Sequence, residues 1–591
     1  MSQAPALPLD RIALTVGVTG HRTVPPSLDP QLRSEFAALV TRLAQAHPNT
    51  PLVVLSTLAA GTETLAVEVA NSLGIPVVAC LPAPADECRR ALATPEERTR
   101  FLAALGMCGR VDVVPSVASA SRDFEAGAYV AHFSHLVVAF WDGKPETPGD
   151  PTAAVVKVRL SGTTALETPL AGLPGVPDVG PVYRIVTPAD DAGEPAGPVS
   201  VLELFPERFS GDTTFERDFV QSLARLDQYN RDLPLAGTVD TAHTIAALRD
   251  RTDAVANRLQ TTTFRFLYVL YVIAIAATSA QYTTSQLLKY AMFPIAFAFY
   301  RVAKRFDYEN RYQDYRALSE GLRVQNAWFD AGLHDEQADQ CYLGMQEKEL
   351  QWIRMALRYA YFAFRDSSPD GRITSPGLRD WIDSQWSYFQ TKPRREELWL
   401  RRLKRAVRAT FWLAAGVSVT LFALLYLPTA PGTIATIEAA LGRHSSISAG
   451  VGTWLRASSQ FLLGVQAGWT ASLSGSGWDA RLHEWDVGSA SHGTKPHHAW
   501  LVQLSTGVLT LYAAVALLIS NYCDKRGFVQ NIKRYDRMFI VFDRAKRRLA
   551  AMPDQNAPPG RDVVLDLGRA ALIENADWLL TRREHPMSFV T

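Results

Sequence analysis

The sequence predicts a soluble α/β head followed by an all-α, multi-pass membrane domain with long cytosolic helices. In the first third of the 591 residues, short runs of Val, Ile and Leu alternate with helix-length segments. This alternation is typical of a mainly parallel sheet covered by helices on both faces. The rest of the chain contains four apolar stretches, each long enough to cross a hydrocarbon core of about 30 Å. They are Phe264–Tyr282, Leu287–Ala303, Ala409–Leu427 and Trp500–Ser520.

Six apolar runs in the head are predicted to be strands. They are Ile12–Val18, Leu52–Ser56, Val77–Leu81, Val111–Val114, Leu136–Trp141 and Val182–Val186. Helical stretches such as Gln31–Ala46 and Thr62–Leu73 fit between them. Ligands of such sheets bind beyond the carboxyl ends of the strands, so the residues that follow each run are the candidates for function.

Basic residues flank the four apolar stretches in the pattern that sets membrane orientation, because Lys and Arg remain on the cytoplasmic side. Arg249 and Arg258 precede the first stretch, a basic cluster at 394–408 precedes the third, and Lys525 and Arg526 follow the fourth. The pattern predicts that both termini are cytoplasmic and that two hairpin tips lie outside. The alternative is that the stretches are core helices of a large soluble protein.

The first strand leads into a segment suited to an anionic ligand. It contains Gly17, Thr19, Gly20, His21 and Arg22. Glycines let the backbone approach a phosphate closely, Thr19 offers a hydroxyl, and Arg22 presents a planar fork to phosphate oxygens.

The ends of the second and fifth strands, and the start of the next helix, contain similar residues. The further candidate ligand-binding residues are Ser56, Gly61, Thr62, Glu63, Trp141, Asp142, Gly143, Gly149 and Thr152. Each turn taken alone is a weak signal, because Gly-rich turns after strands are common and mostly structural. The three strand ends together predict a nucleotide site, with helix N-termini aimed at the same crevice.

The head resembles the SLOG domain. This Rossmann-like superfamily includes the Lonely Guy phosphoribohydrolases, DprA and the cytosolic ligand-binding domain of TRPM channels. The likeness covers roughly residues 10–190 and rests on Val18–Arg22, Ser56 with Ala60–Glu63, Leu81-Pro82 and Trp141–Gly143. The resemblance implies a nucleotide-derived ligand, such as an ADP-ribose-like molecule or a cyclic nucleotide. It implies no other cofactor.

The phosphoribohydrolase members of that superfamily have a PGGxGTxxE signature, from which this chain departs. The corresponding stretch, Pro148–Val156, lacks two of the glycines and the glutamate. We therefore assign no catalytic residue and expect a sensor rather than an enzyme. The alternative is a membrane-anchored nucleotide N-glycosidase or phosphoribohydrolase, in which Glu63 and Asp142 would stabilise an oxocarbenium-like transition state.

The membrane half resembles the SLATT-type effectors that accompany SLOG domains in bacterial nucleotide signalling. Tyr315–Arg323 and Trp578–Arg583 carry this likeness. It implies a pore-forming effector of antiviral defence in the bacterial inner membrane. Four spans per chain are too few to enclose a channel, so we expect a homo-oligomer. A transporter or scaffold with a regulatory head is a further alternative.

These inferences divide the chain into eight segments. They are the nucleotide-binding head (1–190), a helical linker (191–263), a transmembrane hairpin (264–303), a cytosolic helical region (304–408), a transmembrane helix (409–428), an extracytoplasmic loop (429–499), a transmembrane helix (500–521) and cytosolic C-terminal helices (522–591).

Composition excludes several other functions. The net charge of +1 gives no general electrostatic basis for binding nucleic acid, and the basic clusters are explained by the membrane segments that they flank. The five cysteines form no CxxC pair, so neither a zinc site nor a disulfide framework is predicted. Four histidines of the outer loop (His483, His492, His497 and His498) lack a metal-ligand spacing.

Overall fold

The computed structural model divides the chain into two compact units. Unit 1 comprises Met1–Thr263, Asp307–Gln390 and Asp536–Ser588, and unit 2 comprises Phe264–Phe306, Thr391–Tyr535 and Phe589–Thr591. The residues that the structure describes are 4–23, 25–115, 121–144, 151–162, 179–187, 199–206, 211, 213–237, 242–280, 286–341, 347–367, 373, 375–426 and 499–584. The extracytoplasmic loop predicted at 429–499, with its histidines, lies outside them except for its last residue.

A seven-stranded sheet forms the centre of unit 1 and confirms the predicted α/β head. Its strands are β1 (Leu14–Gly20), β2 (Leu52–Ser56), β3 (Val77–Leu81), β4 (Arg110–Val113), β5 (Leu136–Trp141), β6 (Val182–Val186) and β7 (Val201–Leu204). The order is β4-β3-β2-β1-β5-β6-β7, and every neighbouring pair is parallel except β6 and β7. The seventh strand was not predicted, and it extends the sheet beyond residue 190.

Helices connect the strands and cover both faces of the sheet. They are α1 (Asp29–Ala46), α2 (Thr62–Ser72), α3 (Ala85–Ala91), α4 (Pro95–Gly106), α5 (Arg122–Phe133) and α6 (Thr152–Ser161). Alternate residues of a strand point to opposite faces. On β5, Leu136, Val138 and Phe140 therefore join the core formed with α1, α2 and α4, whereas Val137 and Ala139 join the core formed with α5 and α6. Burial on both faces explains why the strands read as continuous apolar runs.

A helical layer from distant parts of the sequence completes unit 1. It includes α7 (Thr214–Asp232), α10 (Tyr308–Asp330), α11 (Glu347–Phe364) and α15 (Pro558–Glu584). Helix α10 packs against α11 and α15, and α11 packs against α7 and α5. Gly568 of α15 lets Trp328 of α10 pack closely, because a Cβ atom there would lie 2.3 Å from Trp328 Nε1. Most of the inner helical region (Asp307–Gln390) and most of the C-terminal segment (Asp536–Ser588) thus belong to the same unit as the sheet.

Helix α11 lies at the amino ends of the strands. Thr15 N donates to His135 Nδ1 at 3.0 Å, so Nε2 carries the ring proton and donates to Met355 O at 2.9 Å. Burial lowers the pKa of His135 to about 3, which keeps the ring neutral in this role. Ligands of such sheets bind at the carboxyl ends, so this helical layer covers the edge opposite the candidate site.

Unit 2 is helical throughout its described part. It contains α9 (Gln286–Phe306) and α13 (Ala499–Arg526), together with the apolar parts of α8 (Ile245–Ala280) and α12 (Pro376–Tyr426) and the start of α14 (Phe528–Ala551). By length and composition, one helix in the described part of the chain, α8, is able to cross a membrane, and only 22% of its apolar window is buried. The multi-pass arrangement therefore stays a prediction.

Candidate functional site

The candidate site lies where the strand order of the sheet reverses. The chain passes from β1 to β2 on one side, whereas β5 pairs with β1 on the other side. Gly20 is opposite Phe140 in that pairing, and His21 N continues it with a 3.1 Å hydrogen bond to Phe140 O. The β1 and β5 loops therefore leave the sheet side by side, and a crevice at such a reversal is the usual ligand position in open α/β sheets.

The β1 loop is fastened to the start of α2. Thr62 donates to His21 O through both its backbone N (3.3 Å) and its Oγ1 (3.0 Å). Gly61 has φ +87°, and a Cβ atom there would lie 2.3 Å from Arg22 O. Four sequence-predicted residues (His21, Arg22, Gly61 and Thr62) are thus brought together, and the contact between the two loops requires glycine at position 61.

Packing explains why three further predicted residues of β1 are small. Gly17 lies inside the strand, where a Cβ atom would be 2.3 Å from Ser134 Oγ. A Cβ atom at Gly20 would be 2.4 Å from Thr62 Oγ1, and the Thr19 side chain is buried. These small residues allow α5 and α2 to approach the strand closely.

Glu63 is buried within the β2–α2 loop and holds that loop in shape. Its Oε2 atom accepts hydrogen bonds from Ser56 Oγ (3.1 Å), Thr57 N (2.9 Å), Thr57 Oγ1 (2.7 Å) and Ala59 N (3.4 Å). Burial raises the pKa of this carboxyl to about 7, although the hydrogen bonds oppose the rise. Ser56 and Glu63, both predicted as ligand-binding residues, therefore have a structural role that the sequence did not reveal.

The raised pKa of Glu63 makes the stability of unit 1 depend on pH. The folded carboxyl binds its proton more tightly than the unfolded one, whose pKa is 4.5. The stabilisation is therefore complete below pH 4.5 and is lost as the pH rises through about 7, and it amounts to about 3 kcal/mol. In urea unfolding of the full chain in detergent, we expect Glu63→Gln to remove most of this loss between pH 5 and pH 8. The exposed control Glu96→Gln should follow the wild-type slope, and an unchanged slope in Glu63→Gln would contradict the assignment.

An arginine that was not predicted from the sequence holds the β5 loop. Arg184 of β6 donates to Trp141 O at 3.1 Å and to Asp142 O at 2.6 Å, and its guanidinium carbon lies 5.3 Å from the Trp141 ring centroid. Gly143 has φ +85°, and a Cβ atom there would meet this guanidinium at 2.4 Å. The sequence did contain an indication of this role, because Arg184 is the one charged residue in the otherwise apolar run Val182–Val186.

Asp142 links the β5 loop to the β1 loop. Its backbone N donates to His21 Nε2 at 3.1 Å, and its Oδ1 lies 3.5 Å from the same atom. Lys144 N donates to Oδ1 at 2.9 Å, and Lys144 Nζ is 3.4 Å from Oδ2. The carboxylate is therefore neutralised locally and orders the loop.

Charged pairs form the rim of the crevice. Arg22 Nη2 lies 2.5 Å from Asp123 Oδ2 in the first turn of α5, and Arg122 Nη1 lies 2.7 Å from Glu87 Oε1. Both side chains of the Arg22–Asp123 pair are more than 40% exposed, so the pair contributes little to stability. An incoming phosphate is able to replace the Asp123 carboxylate on the Arg22 fork, which matches phosphate equally well.

The predicted residues at the start of α6 are only partly described. Thr152 is the first residue of this helix and is buried, and no acidic residue occupies the first turn. Gly149 lies outside the described residues. Within the described residues, no group of three or more His, Cys, Asp and Glu side chains is placed to hold a metal ion.

Comparisons with known proteins give no relative from which a role could be transferred. No protein-family model matches the chain, and neither a curated protein nor a solved structure matches it. The interpretation of the site therefore depends on its own geometry.

Proposed function

We propose that the protein is a membrane effector whose SLOG-type head senses a nucleotide-derived ligand. The ligand binds at the reversal between β1 and β5, and binding gates a pore or disrupts the membrane, as part of bacterial defence signalling. The observation that carries the proposal is the convergence of three loops on His21, whose carbonyl is held by Thr62 and whose ring is held by Asp142. A ligand that changes any one of these loops changes the other two.

The chemistry of the rim favours an anionic ligand. Arg22 lies at the mouth with its planar fork half-exposed, and among the described residues it is paired with the Asp123 carboxylate. The N-terminus of α2, whose first N–H groups have no partner within the helix, begins at the same loop. A phosphate-containing ligand meets both features, as the SLOG resemblance implies.

Exposed apolar side chains in unit 2 support the membrane half of the proposal. Leu287 is 82% exposed and Tyr290 is 76% exposed on α9, and Trp412 and Leu517 are both 70% exposed on α12 and α13. Monomeric soluble proteins rarely leave such large apolar surfaces open. Lipid tails or neighbouring copies in a homo-oligomer would cover them. Helix α8, which includes residues of both units, would carry the signal.

One observation favours the alternative, a membrane-anchored nucleotide N-glycosidase. A buried carboxyl with a pKa near 7 at a strand end is a candidate general acid, and Glu63 has such a pKa. Against this, the hydrogen bonds to Glu63 Oε2 come from its own loop, and Asp142 is paired with Lys144. We therefore favour binding without turnover.

The test is a ligand screen on the full chain in detergent, because α10, α11 and α15 belong to unit 1 and a fragment ending near residue 235 would lose them. The probes are ADP-ribose, cyclic ADP-ribose, NAD, nucleoside monophosphates and cyclic oligonucleotides. Thermal shift reports binding, and mass spectrometry of each probe reports turnover. Stabilisation with an intact probe supports the sensor. Hydrolysis of the probe would overturn the sensor interpretation in favour of the N-glycosidase or phosphoribohydrolase.

Two substitutions at the rim should change affinity in opposite directions. For the probe that binds, we expect Arg22→Ala to raise Kd about 10- to 100-fold, because a charge-assisted hydrogen bond is lost. Asp123→Asn should lower Kd a few-fold, because it frees the Arg22 fork. Isothermal titration on the full chain measures both. The control is Arg42→Ala, which removes an exposed pair with Glu203. Equal affinity in all three variants would show that the site is misplaced.

A further inference from the structure

The strongest feature outside the nucleotide site is a concentration of positive charge on α12. Its segment 391–408 contains eight basic residues and two acidic ones. Arg401 pairs with Glu397 at 3.1 Å, and Arg402 lies over the Trp399 ring at 5.5 Å. In the part of the chain that the structure describes, no carboxylate lies within ion-pair distance of Lys404, Arg405 or Arg408. These three side chains are exposed.

Two of these cations lie on the same face of the helix as an exposed tryptophan. Arg405, Arg408 and Trp412 are separated by three and four residues, the spacing that places side chains on one face. Trp412 is 70% exposed, and the neighbouring Phe411 is 63% exposed. At 1.5 Å per residue, Arg408 lies about 6 Å and Arg405 about 10 Å along the axis from Trp412. The offset of Arg408 falls within a headgroup layer about 5–8 Å deep beside a hydrocarbon core, and Arg405 lies just beyond it, within reach of its long side chain.

A second helix contributes charge close to Lys404. Burial and Asp524 raise the pKa of the Cys523 thiol, and the neighbouring Lys404 ammonium opposes that rise. Lys404 is therefore close to the end of α13, whose last two residues are Lys525 and Arg526. Among the described residues, the acidic groups near this band are Glu396, Glu397, which is paired with Arg401, and Asp524. Positive charge remains in excess.

We propose that Arg405, Arg408 and Trp412 form a binding site for the phosphate headgroups of anionic phospholipids. This inference rests on the membrane placement in the proposed function and names the lipid class that the membrane half selects. Arginine binds phosphate oxygens in a bidentate manner, and tryptophan is preferred at the boundary between headgroups and acyl chains. A nucleic acid would meet the same cations, but it would leave Trp412 and the apolar surface beyond it in water.

The test measures lipid selectivity on the full chain. The chain is purified in detergent, mixed with equal amounts of phosphatidylglycerol and phosphatidylcholine, and analysed by native mass spectrometry for the lipids retained. We expect the wild type to prefer phosphatidylglycerol, and we expect Arg405→Gln/Arg408→Gln to reduce that preference at least 10-fold, at about five-fold per arginine. The matched control is Arg394→Gln/Arg395→Gln, which removes two exposed arginines about 25 Å along the helix from Trp412 and should keep the preference. Thermal unfolding verifies that both variants are folded.

A second measurement separates this inference from the proposed function. Carbonate extraction of the wild-type chain from cell membranes tests whether the chain is embedded. A chain that resists extraction but shows the same selectivity with and without Arg405 and Arg408 overturns the lipid site and leaves the proposed function intact. A chain released by carbonate overturns both. Binding of single-stranded RNA that competes with phosphatidylglycerol and is lost in the same double variant would also overturn the lipid assignment.

Discussion

Replacing Gly61 by alanine is expected to abolish the ligand response and to lower the thermal stability of unit 1. Gly61 has φ +87° and ψ −123°, a conformation that residues with a side chain rarely adopt. The new Cβ would lie 2.3 Å from Arg22 O and 2.7 Å from His21 O. These are backbone atoms held by Thr62, so the β1 loop must move away from α2. Backbone strain alone costs about 1–3 kcal/mol, and the overlap adds to it.

Gly74→Ala is the matched control for this substitution. Gly74 also has a positive φ, +71°, but a Cβ atom there would meet nothing within 4 Å. It therefore reports the cost of placing a side chain at a positive φ without the steric overlap. Thermal unfolding of the full chain with and without ADP-ribose, or whichever probe binds, measures both effects. If Gly61→Ala matched Gly74→Ala in melting temperature and in ligand-induced shift, the close contact between the two loops would not be needed for binding.

The second large effect is expected for Arg358→Ala in the helical layer. Arg358 donates to Asp339 Oδ2 through Nε (3.0 Å) and Nη2 (2.9 Å), and to His132 O through Nη1 (3.0 Å). Asp339 is fully buried, and its Oδ1 atom has no hydrogen-bond partner among the described residues. Removing the guanidinium leaves an uncompensated buried carboxylate. We expect a loss of about 3–5 kcal/mol in the free energy of unfolding.

Two further variants show whether the stability lost in Arg358→Ala comes from the buried charge of Asp339 or from the loss of a contact. Arg358→Met/Asp339→Leu removes both charges and should recover much of the stability, because no charge is left buried. Arg42→Ala breaks an exposed pair with Glu203 and should cost at most about 1 kcal/mol. Urea unfolding of the full chain in detergent measures all three. If Arg358→Ala were as stable as Arg42→Ala, the Asp339 carboxylate would have to be compensated by groups other than Arg358.

Local sequence patterns were sufficient for most of the sheet. Four strands begin and end at the predicted residues, and β1 is displaced by two. These strands are largely buried on both faces, so most of their residues are apolar and the run marks the strand directly. Strand β7 was missed because its sequence, Val-Leu-Glu-Leu, is short and interrupted by a charge. It is an antiparallel edge strand, on which selection for apolar side chains is weaker.

The candidate site was predicted only in part. Glycines and helix starts identified the loops that meet at His21, because these features are local. The roles of the individual side chains depend on contacts with residues distant in the sequence. Arg184 comes from β6 and Asp123 from α5, and both act on loops more than 40 residues away in the sequence. Glu63 is predicted from its position alone, but its four hydrogen bonds depend on how the β2–α2 loop folds back.

The sequence alone determined the α/β class of the head, the strand ends at which its loops meet, and the apolar stretches of the second half. These follow from periodicity and from composition, which are properties of neighbouring residues. Only the tertiary structure decided that α10, α11 and α15 belong with the sheet, and that Arg358 and His135 link α11 to it across more than 200 residues. These contacts pair polar groups that are both buried. The partner of such a group cannot be predicted from a single sequence, because nothing in the neighbouring residues indicates it.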